Sequence, residues 1–562
     1  MRRRSLAVHL LLASVVVGLT RTTYSSGGLP APVEQAVASI TAEDLRAHLR
    51  FLASDELQGR GAGHIGNQVA ELYLASVFER LQLARATGVA FLQPVELVFS
   101  KLGQQNALSF TEQVNKATVD TNYSPGGDFY PHPSSASRAV TAGLVFAGYG
   151  ITAPELEYDD YGSIDAAGRI VVVFDGEPQN DDKGGRFLGR VPTPHTDVED
   201  KISNARKHGA VGLLLVRQRL REVKSVWPES PSVRARDFRL ADQVQDQTLP
   251  VGVISMGAAG TILGSDASKL KSTIDQRLES AGTQMVSSPA AFEVNGRQAR
   301  LSVDLTRESV FVHNVVGMIE GADPKLKQQV VVVGGHMDHD GVDDDGRIFN
   351  GADDNASGTA GVLETAEAFA AASRAGSKPA RTVVFALWNA EEKGDLGSEY
   401  YVRHPVPAGE LVANLNMDMI GRNEDVPDPN DSRFVGLSKT TAVENSNTVH
   451  LLGYSFSEAF ANLVEEENAA IGLSIKEDLD VNPQNLIRRS DQWSFLQQHV
   501  PAIFLTTGLH PDYHTPQDDV GRINFDKLEK IARLAFRVTW RLATDTNLPS
   551  YVDPNGRRST HQ

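Results

Sequence analysis

From about Val310 onward, short apolar runs alternate with amphipathic stretches. "QQVVVVGGH", "RTVVFALWNAEE", "LVANLNMDM" and "VPAIFLTTG" read as strands, rich in β-branched and aliphatic residues. "GTAGVLETAEAFAAA" puts Val362, Ala366 and Phe369 on one helical face, and "FDKLEKIARLAFRVTWRLA" predicts a closing helix. This alternation predicts an α/β fold with a mainly parallel (mixed) sheet flanked by helices. Ligands then bind outside the carboxyl ends of the strands.

Upstream, "TAEDLRAHLRFLASDELQGRGAG" opens with a capping Thr41 and Asp44, then repeats Leu45, Leu49 and Leu52 at helical spacing. "GNQVAELYLASVFERLQL" predicts a second helix. The Pro-, Ser- and Gly-rich piece from Asn122 to Ser137 reads as a boundary. Beyond it, "AGLVFAGYG", "RIVVVFDGE", "AVGLLLVRQ" and "LPVGVISM" read as strands, and the aperiodic stretch from Glu177 to Glu199 as a loop. The block 137–290 carries few clustered His or carboxylate residues and reads as non-catalytic.

Composition narrows the chemistry. A chain of 562 residues exceeds one ordinary domain. A net charge of −17 excludes a general nucleic-acid binder, which needs a basic face. Cysteine is absent, so any metal must sit on His, Asp, Glu or carbonyl oxygen. Arg2, Arg3 and Arg4 precede an apolar run from Leu6 to Leu19. That run is shorter than the ~20 residues of a membrane helix, so a bacterial-type export signal over residues 1–25 is expected, and a secreted or periplasmic location with no membrane contact after cleavage.

The strands from Val310 onward run into residues able to hold metal. "VVVVGG" leads to His336, "VVFALWNA" to Glu391 and Glu392, "VANLNM" to Asp418, and "AIFLTTGLHPDY" to His514. Asp353 lies just ahead of the first long helix. Singly, each is explained as a surface or core residue. Together they put two imidazoles and three carboxylates at the sheet edge, a set that suits zinc. If one carboxylate bridges, two ions can each have three protein ligands and share a water. The run "HMDHDGVDDDG" lacks the spacing and closing Glu of a calcium loop.

"GGHMDHDG", "NGADDNASG", "NAEEKGDLGS", "NMDMIGR" and "DYHTPQDD" resemble, in order, the motifs of metallopeptidase family 28, the co-catalytic zinc exopeptidases. The resemblance is strong over about 310–545, and "SDELQGRGAG" is similar to that family's usual opening. Through "VFAGYGI" and "KISNARKHGAVGLLLV", the block 137–290 resembles an inserted, mostly-β protease-associated domain. The catalytic domain is then discontinuous, over 35–125 and 296–548. The resemblance implies two Zn2+ ions, with His336 and Asp418 on one, Glu392 and His514 on the other, and Asp353 bridging. It implies Glu391 as general base, with Glu391 and Glu392 leaving their strand in opposite directions. Asp338 is expected to hold the second N–H of His336 through its carboxylate, and Tyr513 to donate to a developing oxyanion. Asp354 is expected only to support its neighbour.

"LIRRSDQWSF" departs from related sequences at Gln492, where His is common, and no metal ligand is lost by it. Arg488 and Arg489 are read as surface salt-bridge residues, with a substrate carboxylate as the alternative. The expected function is an aminopeptidase acting on peptides. The rivals are a glutamate-releasing carboxypeptidase, a glutaminyl cyclase, and a non-catalytic receptor-like protein that has lost its ligands.

Overall fold

The computed structural model describes residues 28–86, 90–114, 117–178, 187, 193–217, 238–244, 247–281, 286–287, 291–552 and 554. The expected export signal lies outside the described residues, as does much of the stretch from Glu177 to Glu199. Among the described residues, no helix is long and apolar enough to cross a membrane.

The large sheet has 10 strands and is mixed. Its centre is parallel, in the order Thr382–Trp388, Gln329–His336, Glu410–Met417 and Ala502–Thr506. Antiparallel pairs flank this centre, Leu305–Ile319 on Thr382–Trp388 and Thr448–Leu452 on Ala502–Thr506. Because side chains alternate across a strand, the sheet feeds two cores. Val331, Val333, Phe385 and Leu415 face one core, where helices Gly358–Arg374 and Phe525–Thr544 pack. There the Phe369 ring lies 4.6 Å from Phe536 and 5.4 Å from Trp540. Val330, Val332, Val384 and Trp388 face the other core with Tyr401 of helix Leu396–Arg403.

These two helices sit on opposite faces, and that placement creates the crevice. From Gln329–His336 the chain passes through Gly358–Arg374 to Thr382–Trp388 on one side. It returns through Leu396–Arg403 to Glu410–Met417 on the other side of its starting strand. The topology therefore switches between the strands that end at His336 and Met417, and a crevice opens at their carboxyl ends.

A second sheet of 8 strands has a parallel centre of Ala139–Phe146, Ile170–Phe174, Gly212–Arg217 and Val251–Ser255. It also carries helices Val198–Lys207, Met256–Leu263 and Ala267–Ala281. Its membership corrects the expected boundaries. Ala107–Val114 and Ala117–Tyr123, placed by the sequence within 35–125, pair into this sheet next to Phe292–Ser302. The crossing lies at Gly103, whose N–H donates to the Asp304 carbonyl at 2.8 Å. Phe238–Leu240, expected in the inserted block, instead pairs with Leu92–Leu102 of the large sheet. The stretch from Asn122 to Ser137, expected as a boundary, contains the strand Phe129–Pro131. Composition marks Pro and Gly, whereas sheet membership is set by which strands find hydrogen-bonding partners.

Candidate metal centre

The turn "NGADDNAS" connects the strand ending at His336 to helix Gly358–Arg374, and it is tightly confined. Gly351 has φ 56, and a Cβ there would lie 2.1 Å from the Asp354 carbonyl oxygen and 2.4 Å from the His339 ring. The small residues around the two aspartates therefore meet a packing requirement. The carboxylate Oδ2 of Asp518 accepts the backbone N–H of Asp353 at 2.9 Å and of Asp354 at 3.0 Å. The Asp354–Asn355 peptide bond is cis.

The turn sends its two aspartates in different directions. Asp354 Oδ1 lies 3.3 Å from His336 Nε2, and Asp354 Oδ2 lies 3.0 Å from His514 Nε2. Each imidazole nitrogen meets a second carboxylate, Asp418 Oδ1 at 3.3 Å from His336 and Glu392 Oε2 at 3.3 Å from His514. Asp353 points away from this gap. Its Oδ1 accepts the N–H groups of Gly421 at 2.6 Å and Arg422 at 3.0 Å, and its Oδ2 lies 3.3 Å from His510 Nε2. The expectation that Asp353 spans the two histidines is corrected: Asp354 occupies that position. The main-chain donors of Gly421 and Arg422 hold Asp353 on the other side.

The same strand ends bring in the remaining residues. Ala390 has φ 58 and turns the chain into a short 3-10 helix, Glu391–Lys393. Glu391 and Glu392 diverge from this turn rather than from the strand itself. Glu391 Oε2 lies 3.8 Å from His336 Nε2, while Glu392 Oε1 lies 2.6 Å from His339 Nδ1. Asp338 corrects a second expectation. His336 Nδ1 is 3.2 Å from its backbone carbonyl and 3.9 Å from its carboxylate, which instead accepts the Glu391 N–H at 3.1 Å. Tyr513 lines the pocket, and its hydroxyl accepts an N–H of Arg489 at 2.9 Å. Arg489 thus sits at the pocket and Arg488 over the Trp493 ring at 4.7 Å, and among the described residues neither lies within ion-pair distance of a carboxylate as expected of a surface salt bridge. Gln492 donates to the Ile487 carbonyl at 2.7 Å, behind the site.

Electrostatics follow from burial and proximity. Burial would lower His336, but Glu391 and Asp418 outweigh it and hold the imidazole well above its ordinary range. His514 rises to about 10 because Glu392 and Asp354 outweigh burial. Burial pushes the Glu391 carboxyl well above the usual range against the pull of His336. Burial likewise takes Asp338 up to about 6.

The donor set fits metal. Ligand atoms sharing a tetrahedral ion with bonds of ~2.0–2.1 Å stand roughly 3.3–3.4 Å apart. The separations around Asp354 fall at or close to this value. Among the described residues, His336 Nε2 and Asp418 Oδ1 are buried and make no hydrogen bond, which is costly unless something else satisfies them. His339, Asp340, His510 and Asp518 were not singled out from the sequence. His339 and Asp340 lie beside Asp338 in the run "HMDHDGVDDDG", whose density of His and Asp is the signal for them.

Residues 314–539 match the family model described as "Peptidase family M28". Leupeptin-inactivating enzyme 1 of Streptomyces exfoliatus is 39% identical over 128 residues, 22% of this chain and 24% of that protein. An aminopeptidase of Pseudomonas aeruginosa is 36% identical over 142 residues, 25% of this chain and 22% of that protein. A probable leucine aminopeptidase of Arthroderma benhamiae is 27% identical over 232 residues, 40% of this chain and 57% of that protein. The matched stretches thus span less than two thirds of these relatives' own lengths. Among solved structures, an aminopeptidase from Aneurinibacillus sp. strain AM-1 aligns over 92% of this chain and 97% of that one, at 17% identity and a TM-score of 0.49.

Proposed function

We propose, from the premise that residues 314–539 of this chain belong to peptidase family M28, that the protein is an exported zinc-dependent exopeptidase, and within that class an aminopeptidase. One observation carries the reading: the two carboxylate oxygens of Asp354 are divided between His336 and His514, each with a further carboxylate of its own. His336, Asp418 and Asp354 would hold one ion, and His514, Glu392 and Asp354 the other. Zinc bound there would supply Lewis acidity and lower the pKa of bound water.

The chain's own groups supply the rest. Glu391 lines the pocket together with Asp354 and Asp418, and its Oε2 takes the proton of the attacking water and returns it to the leaving nitrogen. Tyr513 accepts from Arg489, so its own O–H remains for a substrate oxygen. Burial raises the Tyr513 hydroxyl well above its ordinary value, which keeps that proton in place. Asp338 holds the backbone of Glu391 and, through its carbonyl, the ring of His336.

Leu452, Leu479, Leu486, Phe504 and Leu509 line the pocket beside these carboxylates. It suits an apolar terminal side chain, with the free α-amine near the acids. Arg489 at the same pocket supports one second reading, a carboxypeptidase that clamps a terminal carboxylate. The sheet built from residues 107–302 is read as the protease-associated domain, and the N-terminal apolar run as the export signal.

The test is metal analysis of the purified protein, with hydrolysis of aminoacyl amides and of N-acylated C-terminal dipeptides, before and after chelation and zinc add-back. Zinc-dependent release of apolar N-terminal residues is expected. Activity confined to the acylated dipeptides would select the carboxypeptidase. A protein with neither zinc nor hydrolysis would be a non-catalytic scaffold.

A further inference from the structure

Arg60 stands in "SDELQGRGAG", some 250 residues ahead of the matched segment, yet its side chain is 1% exposed and lies beneath the centre. Among the described residues no carboxylate lies within ion-pair distance of it, and its guanidinium is spent on backbone carbonyls instead. Nε donates to Met337 at 2.8 Å, Nη1 to Asn350 at 2.7 Å and also to Leu52, and Nη2 to Gly351 at 3.0 Å. Met337 follows His336, while Asn350 and Gly351 open the turn that ends at Asp354. A single planar fork therefore ties together the two loops whose side chains meet at 3.3 Å.

The brace extends to the third loop. The Arg60 carbonyl accepts from Asn67 Nδ2 at 3.2 Å, and Asn67 Oδ1 accepts from Asn389 Nδ2 at 3.0 Å. Asn389 also donates to Glu71 at 2.9 Å, and it immediately precedes the turn carrying Glu391 and Glu392. The backbone around Arg60 is itself confined. Gly59 has φ 66, and a Cβ there would lie 2.4 Å from the Phe349 carbonyl oxygen and 2.5 Å from that of Gly341. Burying a guanidinium without a paired carboxylate is costly. Here the surrounding field of Asp338, Asp354, Asp518 and Glu392 opposes that cost, so the cation is balanced by the centre as a whole.

We propose that Arg60 is a positioning residue for the metal centre: it sets the spacing between His336 and Asp354, and Asn67 carries the same constraint to the turn of Glu391 and Glu392. This rests on the reading that the centre holds zinc. The test compares Arg60→Lys, Arg60→Met and Asn67→Ala with the parent and with Arg381→Met. Arg381 is the control because it is equally buried and bonds Gln329 Oε1 and the carbonyls of Leu542 and Asp545 at the far, amino end of the parallel strands. The readouts are zinc dissociation by chelator competition, the visible spectrum of the cobalt-substituted protein, and the thermal midpoint.

Both Arg60 variants are expected to bind zinc about 10–100-fold more weakly, as for other groups that orient metal ligands, and to show an altered cobalt spectrum. Asn67→Ala is expected to move in the same direction by less. Arg381→Met is expected to lower the midpoint while leaving zinc affinity and the cobalt spectrum as in the parent. Parent-like affinity in Arg60→Lys would overturn the proposal, because the charge without the fork would then suffice. Weaker zinc binding in Arg381→Met, in proportion to its lower midpoint, would also overturn it. Should Arg60→Met fail to fold, Arg60→Lys and Asn67→Ala decide the matter. A parent that binds no zinc overturns the proposed function itself, whereas a zinc-binding parent beside indifferent variants overturns only the brace.

Discussion

Both sheets bury charged side chains, and they treat them in opposite ways. In the smaller sheet Asp160 is fully buried, but Oδ2 accepts the N–H groups of Tyr149 and Ile151 at 3.0 Å each, and Oδ1 the Tyr158 hydroxyl at 2.7 Å. Lys201, also fully buried, donates to the carbonyls of Tyr149 and Gly176 at 2.6 Å each. These charges are consumed by the backbone at Tyr149, Ile151 and Gly176 and by the Tyr158 hydroxyl, and act as fasteners. At the carboxyl ends of the large sheet, His336 Nε2, Asp418 Oδ1 and His339 Nε2 are buried with no hydrogen bond among the described residues. Buried charge alone is therefore a poor mark of function. Convergent buried donors and acceptors that the fold leaves unsatisfied are a better one.

The sharpest way to break this comparison is at Glu391. Glu391→Ala is expected to retain metal while kcat falls about 10²–10⁴-fold, the usual worth of a positioned base. Steady-state kinetics with metal content measured on the same sample would check it, and near-parental turnover would remove Glu391 from its role. Next comes the aspartate pair. Asp354→Asn is expected to weaken both metal positions together, whereas Asp353→Asn should cost about 10–100-fold in affinity or activity by loosening the loop at Gly421. Stepwise metal titration distinguishes them, and loss of a single metal from Asp354→Asn would argue against a bridge.

Smaller effects are expected in the other sheet. Asp160→Asn puts an amide against N–H donors and should cost about 1–3 kcal/mol of stability, seen in urea unfolding, with metal binding unchanged. Loss of metal from this variant would erase the distinction drawn between the two regions. A last test concerns Lys201, which burial lowers from 10.5 to about 8 against the pull of Asp175 and Asp160. Above pH 8 the folded chain gives up that proton while the unfolded chain keeps it until about 10.5, so this group makes stability rise with pH between those values. Below pH 8 both states hold the proton and the slope vanishes. Subtracting the pH–stability profile of Lys201→Met from that of the parent should reveal this rise, and a flat difference would show that Lys201 is not linked to folding in this window.

Much of the large sheet was legible because its strands are apolar runs bounded by helices with a clear stripe. Val362, Ala366 and Phe369 do share one buried face, and Thr41 does cap its helix by accepting the Asp44 N–H. The strand-end residues were legible because the parallel topology gathers loop residues at one edge. The boundary near Asn122 is hard to read because Leu108 and Phe110 sit in a polar, unremarkable stretch and join the second sheet's core by pairing next to Phe292–Ser302. Glu391 and Glu392 diverge as expected, but through the left-handed Ala390 rather than strand alternation.

By itself the sequence determined the α/β class, the absence of thiolate chemistry, and the His and carboxylate residues that end up at one edge. These follow from local periodicity and from residue identity, both readable along a single dimension. Only the tertiary structure decided that Asp354 rather than Asp353 spans the two histidines, and that the carbonyl of Asp338 rather than its carboxylate meets His336. It alone put Arg60 beneath two ligand loops. These choices depend on which backbone donors and carbonyls lie across the gap, and those partners stand tens to hundreds of residues away. Neighbouring residues of one chemistry are interchangeable in a sequence, and become distinct only when packing assigns each its direction.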